Sequence, residues 1–499
     1  MKNEQINSIH VKWYELDKVF NGLNTELEHD ITVQREAIPL VFVPGIMGSV
    51  LRLSGTDGNG ERQDGLPNLR WNPSSSYWMW RHYSGANATF RKNMIIGSGS
   101  FNKNFLEVHN SDPVGNGFQG VSSSTYLQFL QFLQDQNWGP LRKIFEFPVF
   151  AFGYNWTDTN LNNGTLLVQR IDEIIKEAKE TTGLCEKVIL ITHSMGGLVS
   201  RAASRLAESK ILGIIHGVQP VTGSAAAYWR VKAGFEGLGP TSRVLGNSAR
   251  TVTPLLGNIP GGLELLPNKY YCDNEGLKEW LVVKENDKII LSLPKNDPYN
   301  EIYRIQGTGN ELKNPDRKYW GLIDPDLLDA AITSQSDDPN DPDSIDDRAR
   351  WSSWDQYLEM LKKAELFHET IKEIAHPFTF TFHGTDHNSS DRVEMITESV
   401  FIEWDSYPKR GFGGYYKNSQ GKKRRAILQD PDGDGDGTVP TSSASFLDDI
   451  AQQIPQPMGT NVEHEPAYKN SQVREFVIRS IVALCVKRYE DKMGKKIDT

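Results

Sequence analysis

The chain is 499 residues long, with 38% hydrophobic and 24% charged residues and a formal net charge of −10 at pH 7. This composition is typical of a globular protein. The acidic balance argues against a nucleic-acid partner, because nucleic-acid binding depends on positive charge that neutralises phosphates. The three cysteines are widely spaced and form no CxxC pair, so neither a disulfide framework nor a metal site is predicted, and we expect no cofactor.

The N-terminal residues lack the apolar segment that a cleavable signal peptide requires. No apolar run approaches the ~20 residues that a helix needs to cross a bilayer. We therefore expect a soluble, cytoplasmic protein, with export by a route that needs no cleavable signal left open.

Short apolar runs alternate with helical patterns from residue 39 onward. The predicted strands are 39–44, 145–152, 187–192 and 211–218. The predicted helices are 125–138, 166–179 with Gly183 as its C-cap, and 196–208. Strands that alternate with helices predict an α/β fold, in which a mostly parallel sheet carries helices on both faces.

The alternation is interrupted, and the interruptions predict how the chain is divided. We expect an N-terminal arm at 1–37, a core in two parts at 38–222 and 376–499, and an inserted cap at 223–375. The first part of the core contains a lid-like excursion at about 51–120, which is rich in Gly, Asn and Asp. The second part begins with a predicted strand at 378–382 and ends with a predicted helix at 471–489.

Ser194 lies where a nucleophile elbow is expected. The strand at 187–192 leads through His193, Ser194 and Met195 into a helix, which is the context that an elbow requires. The turn strains the backbone of the serine, so small residues must flank it, as the two glycines at 196–197 do. Thr192 stands where the usual pattern has Gly. An ordinary turn or a helix cap is the alternative interpretation.

Chain order then indicates the acid and the base. In the α/β-hydrolase fold the nucleophile is followed by an Asp or Glu and then by a His. The loop DGDGDGTVP offers Asp432, Asp434 and Asp436, and His464 is the one histidine beyond it. We predict that His464 is the general base that takes the proton from Ser194. The alternative is a histidine on a surface loop.

The aspartate-rich loop has a second interpretation as a calcium site, because DxDxDG spacing begins an EF-hand loop. The position that holds a bidentate Glu in an EF-hand is Ser443 when counted from Asp432, and Thr441 when counted from Asp430. Since that ligand is missing, calcium is the weaker interpretation. A plain acidic turn also stays open, because Asp and Gly collect in turns.

Four separated motifs resemble the lecithin:cholesterol acyltransferase-like family, whose relatives include lysosomal-type phospholipases A and phospholipid:diacylglycerol acyltransferases. The motifs are VFVPGIMGSVL at 41–51, GYNW at 153–156, HSMGG at 193–197 and GDGTVP at 435–440. Their order spans nearly the whole chain beyond residue 38. The resemblance implies an α/β-hydrolase fold and a triad of Ser194, Asp436 and His464, with Asp436 chosen over its two neighbours.

The same resemblance implies further site residues. Backbone amides of Ile46 and Met195 are expected to form the oxyanion hole, since one donor follows the nucleophile and the other comes from the loop after an early strand. Trp156 and Tyr154 of the GYNW motif are expected at the substrate-binding wall. Buried core aromatics are the alternative for these two residues.

Two further segments suggest contact with a lipid interface. The aromatic run at 77–83, YWMWRHY, is a candidate interfacial lid, because Trp and Tyr favour the boundary between water and acyl chains. The basic run at 422–425 is a candidate contact for anionic head groups. Packing in a core and ordinary solvated surface are the respective alternatives.

The sequence therefore predicts a serine-dependent acyl ester hydrolase or O-acyltransferase, similar to lipases and phospholipases, that acts through an acyl-Ser194 intermediate. The expected partners are a lipid or acyl ester substrate and, transiently, a membrane surface. The acceptor stays open, because one triad passes the acyl group to water or to an alcohol. The alternatives are a delivered lipase toxin, a non-catalytic lipid-binding module and a deacylase of lipid-anchored glycans, which shares HSMGG.

Overall fold

Five parallel strands form the central sheet of the protein. The computed structural model describes residues 7–23, 29–53, 67–96, 106–108, 115–235, 240–273, 276–307, 317–329, 354–389, 393–399, 411–417, 423–429, 433–448 and 461–494. In spatial order, the strands of the central sheet are Val149–Ala151, Leu40–Val43, Val188–His193, Ile211–Gly217 and Thr379–Phe382. Every residue of these strands is buried, which explains why they read as nearly continuous apolar runs.

The order of the strands determines where a site can form. Within the central sheet, Leu40–Val43 comes first in the sequence. The next strand, Val149–Ala151, pairs on one side of it, and the one after that, Val188–His193, pairs on the other side. In open parallel sheets, ligands bind beyond the carboxyl ends of the strands at such a reversal of strand order. The loops after Leu40–Val43 and Val188–His193 meet at this point, and they carry Ile46 and Ser194.

Helices cover the sheet as the alternation predicted. Asn160–Thr182 is longer than predicted and ends at Gly183, whose φ of 79° is the left-handed conformation of a helix C-cap. Gly196–Ala207 packs closely against it, since a Cβ on Gly164 would lie 2.7 Å from the Cβ of Ala202. Ser471–Met493 is another long helix and has a buried apolar face. This topology is the α/β-hydrolase architecture predicted from the sequence.

Two predicted elements differ in detail from the structure. The predicted strand at 145–152 is divided into Phe145–Glu146, which pairs with Glu36–Ala37, and Val149–Ala151. Pro148 lies between them and has no amide hydrogen to continue a ladder. The predicted helix at 125–138 begins with a π-helical turn at Ser123–Leu127 and continues as the α-helix Gln128–Gln134.

A second five-stranded sheet combines segments that are distant in sequence. It contains the hairpin Leu281–Glu285 and Lys288–Leu293, together with Val393–Ser399, Lys423–Leu428 and Gly411–Lys417. The hairpin belongs to the segment predicted as the inserted cap, whereas the other three strands belong to the segment predicted as the second part of the core. A short antiparallel pair, His387–Ser389 with Gly433–Gly435, lies where the chain leaves the core for the last three of these strands and where it returns.

The N-terminal arm packs against the C-terminal helix. Trp13 is 2% exposed and stacks on Tyr489, with ring centroids 5.4 Å apart. Arg488 donates to the buried carboxylate of Glu36 and to Glu186. The buried Glu36 therefore has a charged, hydrogen-bonded partner, as a buried carboxylate requires.

The other elements are shorter or lie at the periphery. The remaining strands are Asn7–Lys12, His29–Gln34, Leu51–Leu53, Leu69–Trp71, Leu106–Val108, Cys272–Asp273 and Gly276–Leu277. The remaining α-helices are Leu16–Phe20, Ser76–Tyr83, Ala88–Ile95, Ala225–Ala233, Pro240–Leu245, Ala249–Leu256, Pro260–Leu263, Trp354–Ile371 and Thr441–Ala444. Within the described ranges, no helix has the length and apolar character needed to span a bilayer. The three cysteines, at 185, 272 and 485, all lie in described segments, and none of them forms a disulfide.

Candidate active site

Ser194 occupies a sharp turn between the strand Val188–His193 and the helix Gly196–Ala207. Its φ is 52°, a left-handed conformation that a residue other than glycine rarely adopts. The turn is tightly packed, since a Cβ on Gly196 would lie 2.3 Å from the carbonyl oxygen of Val43. Ser194 therefore has the strained backbone that a nucleophile elbow imposes.

Thr192, which replaces the usual glycine of the elbow, is accommodated by hydrogen bonds. Its hydroxyl oxygen lies 3.1 Å from Nδ1 of His216 on the neighbouring strand. Its carbonyl oxygen accepts a hydrogen bond of 2.5 Å from the hydroxyl of Tyr468. The β-branched side chain thus has a polar partner within the sheet, and Ser194, two residues further on, keeps its left-handed conformation.

The structure brings together the three residues predicted as a triad. Nε2 of His464 lies 2.9 Å from Oγ of Ser194, and Nδ1 of His464 lies 2.7 Å from Oδ2 of Asp436. Asp436 is 2% exposed, while His464 is partly open to the cavity described below. This serine–imidazole–carboxylate chain is the geometry in which a histidine removes a proton from a serine.

Local hydrogen bonds distinguish Asp436 from its neighbours. Its Oδ1 accepts from the amides of Thr438 and Val439 at 2.9 Å and 2.7 Å, which leaves Oδ2 directed at His464. Asp434 is exposed and lies opposite Asn388 in the short antiparallel pair. Asp432 lies outside the described residues.

The calcium interpretation receives no support from the described part of the loop. Among the residues that the structure describes, no group of three or more His, Cys, Asp or Glu side chains could hold a metal ion. Asp430 and Asp432 lie outside these residues. Asp436 uses both carboxylate oxygens on protein donors.

The amides predicted for the oxyanion hole lie at the two loops that meet beside Ser194. Ile46 follows Gly45, and a Cβ on Gly45 would lie 3.1 Å from the Cβ of Ser194. Met195 is the N-cap residue of the helix Gly196–Ala207, so its amide lies at the positive end of the helix dipole. This arrangement suits the stabilisation of a negative charge that develops on a carbonyl oxygen.

A cavity of about 780 Å³ opens onto Ser194 and His464. Its volume falls within the range of small-molecule sites. Arg230 and Glu465 bring charge to its lining. Much of the remaining lining is apolar, including Trp71, Met79, Val231, Leu256 and Leu265.

Trp156 and Tyr154, which were predicted at the substrate-binding wall, are not among the residues that line this cavity. Trp156 is fully buried and packs edge-on against Trp71, whose ring does line the cavity. The hydroxyl of Tyr154 donates to the carbonyl of Pro44 at 2.9 Å. Both residues therefore support the wall and the oxyanion loop from behind, because the GYNW segment lies beneath the first layer of side chains.

Two helices from distant parts of the chain border the cavity. Ser76–Tyr83 contributes Ser76, Met79 and Trp80 to the lining, and Pro240–Leu245 contributes Val244 and Leu245. The buried guanidinium of Arg91 joins the helices, since it donates to the carbonyls of Tyr83 at 2.6 Å and Val244 at 2.5 Å. Burial lowers the pKa of Arg91 to about 10, so it stays charged at neutral pH.

The aromatic run at 77–83 and the basic run at 422–425, predicted to contact a lipid interface, differ from each other in how much of them the structure describes. Within the aromatic run, Tyr77 is 72% exposed and Trp80 is 42% exposed, whereas Met79 and Tyr83 are buried. The run is thus partly core and partly surface. Of the basic run, Lys422 lies outside the described residues, and 423–425 begin the strand Lys423–Leu428.

Sequence reasoning missed two residues that contact the site. His193 and Tyr126 are both buried, and the Tyr126 hydroxyl lies 3.0 Å from Nδ1 of His193. The signal for His193 was its place in HSMGG, directly before the nucleophile. Tyr126 had no local signal, because it lies 67 positions before His193 in the sequence and meets the elbow only in the folded chain.

Comparison with known proteins supports the fold. The family model described as a PGAP1-like alpha/beta domain matches residues 132–230, which include the elbow. No curated protein matches the chain in sequence. A chain in the crystal structure of the Tle4–Tli4 complex is 21% identical, with a TM-score of 0.67 over 91% of this chain and 99% of that one. The predicted α/β-hydrolase fold is confirmed.

A second solved structure carries no argument. Phospholipase PlaB from Legionella pneumophila is 12% identical over 62% of this chain and 79% of that one, with a TM-score of 0.18. None of these comparisons specifically shows the lecithin:cholesterol acyltransferase-like family.

Proposed function

We propose that the protein is a serine-dependent acyl ester hydrolase that acts on lipid substrates. The observation that carries this proposal is the Ser194–His464–Asp436 chain, with contacts of 2.9 Å and 2.7 Å, at a mainly apolar cavity of about 780 Å³. An apolar cavity next to an activated serine suits the acyl chain of an ester.

The proposed reaction has two halves. In the first, Oγ of Ser194 attacks the ester carbonyl while its proton passes to Nε2 of His464. The tetrahedral oxyanion lies against the amides of Ile46 and Met195. The carbon–oxygen ester bond then breaks, and the leaving alcohol takes the proton from His464. In the second half, water or another alcohol attacks acyl-Ser194 and gives its proton to His464. His464 then returns that proton to Oγ of Ser194 as the acid, or the new ester, is released.

Asp436 has a distinct part in this reaction. Its Oδ2 accepts from Nδ1–H of His464, which fixes the imidazole with its unprotonated Nε2 directed at Ser194. When His464 becomes positively charged, the carboxylate stabilises that charge. The amides of Thr438 and Val439 hold the carboxylate in place throughout.

The exposed aromatics suggest how a lipid reaches the cavity. Tyr77 and Trp80 lie on the helix Ser76–Tyr83, and Trp80 and Met79 of the same helix line the cavity. This helix contains no acidic residue and has Arg81 in its last turn. Aromatic rings with nearby positive charge suit transient contact with an anionic membrane surface. We also retain membership in the lecithin:cholesterol acyltransferase-like family, and the division into arm, core, lid and cap, as parts of this proposal.

The test is hydrolysis of a short-chain nitrophenyl ester by the wild type and by Ser194→Ala. We expect turnover by the wild type and none by the variant, with both proteins equally folded by circular dichroism. Equal turnover by the two proteins would refute the proposal. Product analysis of a phospholipid, with and without a sterol or diacylglycerol acceptor, then separates hydrolysis from acyl transfer.

A delivered lipase toxin is the second candidate, and the likeness to the Tle4–Tli4 structure favours it. That likeness covers 91% of this chain, and the related protein was solved as part of a two-protein complex. A lipase that attacks membranes endangers the cell that makes it, so a protein that binds and blocks it is expected. The test is to express the protein in a bacterial host in two forms, one kept in the cytoplasm and one directed to the periplasm, and to follow growth. Growth arrest that Ser194→Ala abolishes supports a toxin, and normal growth in both cases contradicts it.

A further inference from the structure

His193 uses both ring nitrogens in hydrogen bonds within the protein. Its Nε2 lies 2.8 Å from the carbonyl oxygen of His464, and its Nδ1 lies 3.0 Å from the hydroxyl of Tyr126. A carbonyl oxygen can only accept, so Nε2 of His193 carries the hydrogen of this contact. The residue before the nucleophile therefore holds the backbone of the residue that supplies the base.

The direction of the remaining contacts follows from the charge of the ring. Burial, together with the nearby His464, lowers the pKa of His193 to about 3, so the ring is neutral at ordinary pH. Nδ1 of a neutral ring protonated on Nε2 is an acceptor, and the Tyr126 hydroxyl donates to it. Burial also raises the pKa of Tyr126 well above its usual value, so this proton stays on the phenol.

The Tyr126 hydroxyl has a second partner on the oxyanion loop. It accepts from the amide of Gly45 at 3.2 Å. The loop lies directly against His193, because a Cβ on Gly45 would be 2.8 Å from Nδ1 of the ring. A continuous chain thus runs from the Gly45 amide through Tyr126 and His193 to the His464 carbonyl.

This chain joins the parts of the active site that must keep a fixed separation. Gly45 precedes Ile46, His193 precedes Ser194, and His464 carries the base. The backbone of His464 is held at both ends, since its amide donates to the carbonyl of Asp436 at 2.9 Å and its carbonyl accepts from His193. Geometry within about 0.5 Å decides whether such a site works.

We propose that Tyr126 and His193 are positioning residues that hold the oxyanion loop and the His464 loop in register with Ser194. This inference rests on the proposed hydrolase function. Neither residue exchanges a proton with the substrate. Their effect reaches the reaction through the Ile46 amide and through the imidazole of His464.

The first test compares Tyr126→Phe with the matched variant Tyr357→Phe. Both changes remove a buried phenolic hydroxyl, and that of Tyr357 donates to the carbonyl of Tyr303 at 2.7 Å, away from the cavity lining. Tyr126→Phe is expected to lower kcat about 10-fold at unchanged KM on a short-chain nitrophenyl ester. Tyr357→Phe is expected to keep the wild-type kcat. Rates are expressed per active site, titrated to completion with a fluorophosphonate, so loss of folded protein does not enter.

The second test separates the two contacts of His193. Glutamine places an amide N–H near the position of Nε2 and can still donate to the His464 carbonyl, whereas the shorter asparagine reaches only the position of Nδ1. His193→Gln is therefore expected to keep a higher kcat per site than His193→Asn. This pair decides the question if Tyr126→Phe does not fold.

The outcomes are distinguishable. Wild-type kcat per site in Tyr126→Phe, or equal kcat in the two His193 variants, would overturn the positioning role while leaving the hydrolase proposal intact. A wild type that neither turns over the ester nor is labelled by the fluorophosphonate at Ser194 would overturn the proposed function and, with it, this inference.

Discussion

On one side of the cavity, the strand Val188–His193, Ser194 and the helix Gly196–Ala207 follow one another without interruption. On the other side, Asp436 and His464 come from separate loops. Three strands of the second sheet come between the core strand Thr379–Phe382 and Asp436, namely Val393–Ser399, Gly411–Lys417 and Lys423–Leu428. We call these the nucleophile side and the acid–base side. The comparison shows that the proposed triad combines a locally encoded half with a half assembled over a long range.

The acid–base side keeps its geometry despite the intervening strands because its ends are tied together. His387–Ser389 pairs antiparallel with Gly433–Gly435, so the chain returns to the end of the core strand that it left. Gly384 then packs against Asp436, since a Cβ on Gly384 would lie 2.8 Å from the Cβ of Asp436. Strands can therefore be added here without displacing the carboxylate.

The largest effect is expected on the acid–base side, from Asp436→Asn. An amide at this position stabilises the wrong imidazole tautomer, so kcat is expected to fall about 10⁴-fold with little change in stability. Asp434→Asn is the matched control, because Asp434 is exposed on the strand Gly433–Gly435 of the short antiparallel pair. Ester kinetics and urea unfolding of both variants measure the effect. A similar loss of kcat in Asp434→Asn would show that the loop and not one carboxylate is required.

On the nucleophile side, Gly196→Ala is expected to reduce stability and activity together. The new Cβ would lie 2.3 Å from the backbone oxygen of Val43 and 2.5 Å from that of Pro44, so the elbow must shift. Overpacking of this kind costs about 1–3 kcal/mol. The control is Gly22→Ala, whose Cβ would meet its nearest neighbour at an ordinary 3.6 Å. Urea midpoints and kcat are to be measured, and wild-type values for both in Gly196→Ala would contradict the packing of the elbow.

The nucleophile side is also expected to make stability depend on pH through Glu264. This buried carboxyl group accepts from the hydroxyl of Thr159 and the amide of Asn160 at the start of a helix that packs on the elbow helix. Burial raises its pKa to about 8, above its ordinary value of 4.5. Between pH 4.5 and about pH 8, therefore, Glu264 is protonated in the folded state and ionised in the unfolded state. Stability is greatest below the lower value and falls by at most about 1.4 kcal/mol per pH unit as the pH rises towards the upper one.

Glu264→Gln removes this titration. Urea unfolding of the wild type and the variant at several pH values from about 5 to about 8 gives the unfolding free energy of each. As the pH rises, the wild type is expected to lose stability relative to the variant. Parallel pH profiles for the two proteins would show that Glu264 does not keep its proton on folding.

The smallest effect is expected from Ser389→Ala, in the short antiparallel pair that returns the chain to the acid–base side. The hydroxyl of Ser389 accepts from the amide of Gly437 at 2.7 Å, and its loss leaves that amide unpaired at a cost of about 1 kcal/mol. Ser480→Ala is the control, because this buried hydroxyl donates only to a helix carbonyl and no amide depends on it. Urea unfolding should show a loss of unfolding free energy in Ser389→Ala alone. Equal losses in the two variants would show that the Ser389–Gly437 hydrogen bond does not stabilise the protein more than an ordinary buried hydroxyl does.

These two sides also differ in how far they can be predicted. The elbow was predictable because strand, turn and helix are adjacent and each has a local pattern, including the glycines at 196–197. His464 was predictable by chain order. Tyr126 was not, because its contacts with Gly45 and His193 span 81 and 67 positions and leave no local pattern. The GYNW motif likewise does not show which layer of side chains faces the cavity, and Trp156 is fully buried behind Trp71.

The sequence by itself determined the parallel sheet, the position of Ser194 and the set of carboxylates from which the acid had to come. These follow from periodicity and from the steric demands of a tight turn, which act over a few residues. The choice of Asp436 among its neighbours came from the family resemblance and not from a local pattern, and the tertiary structure directs its Oδ2 at His464. Tertiary structure alone decided which residues line the cavity, and that Tyr126 and His193 link the loops. Those outcomes depend on hydrogen bonds and packing between segments that meet only when the chain is folded.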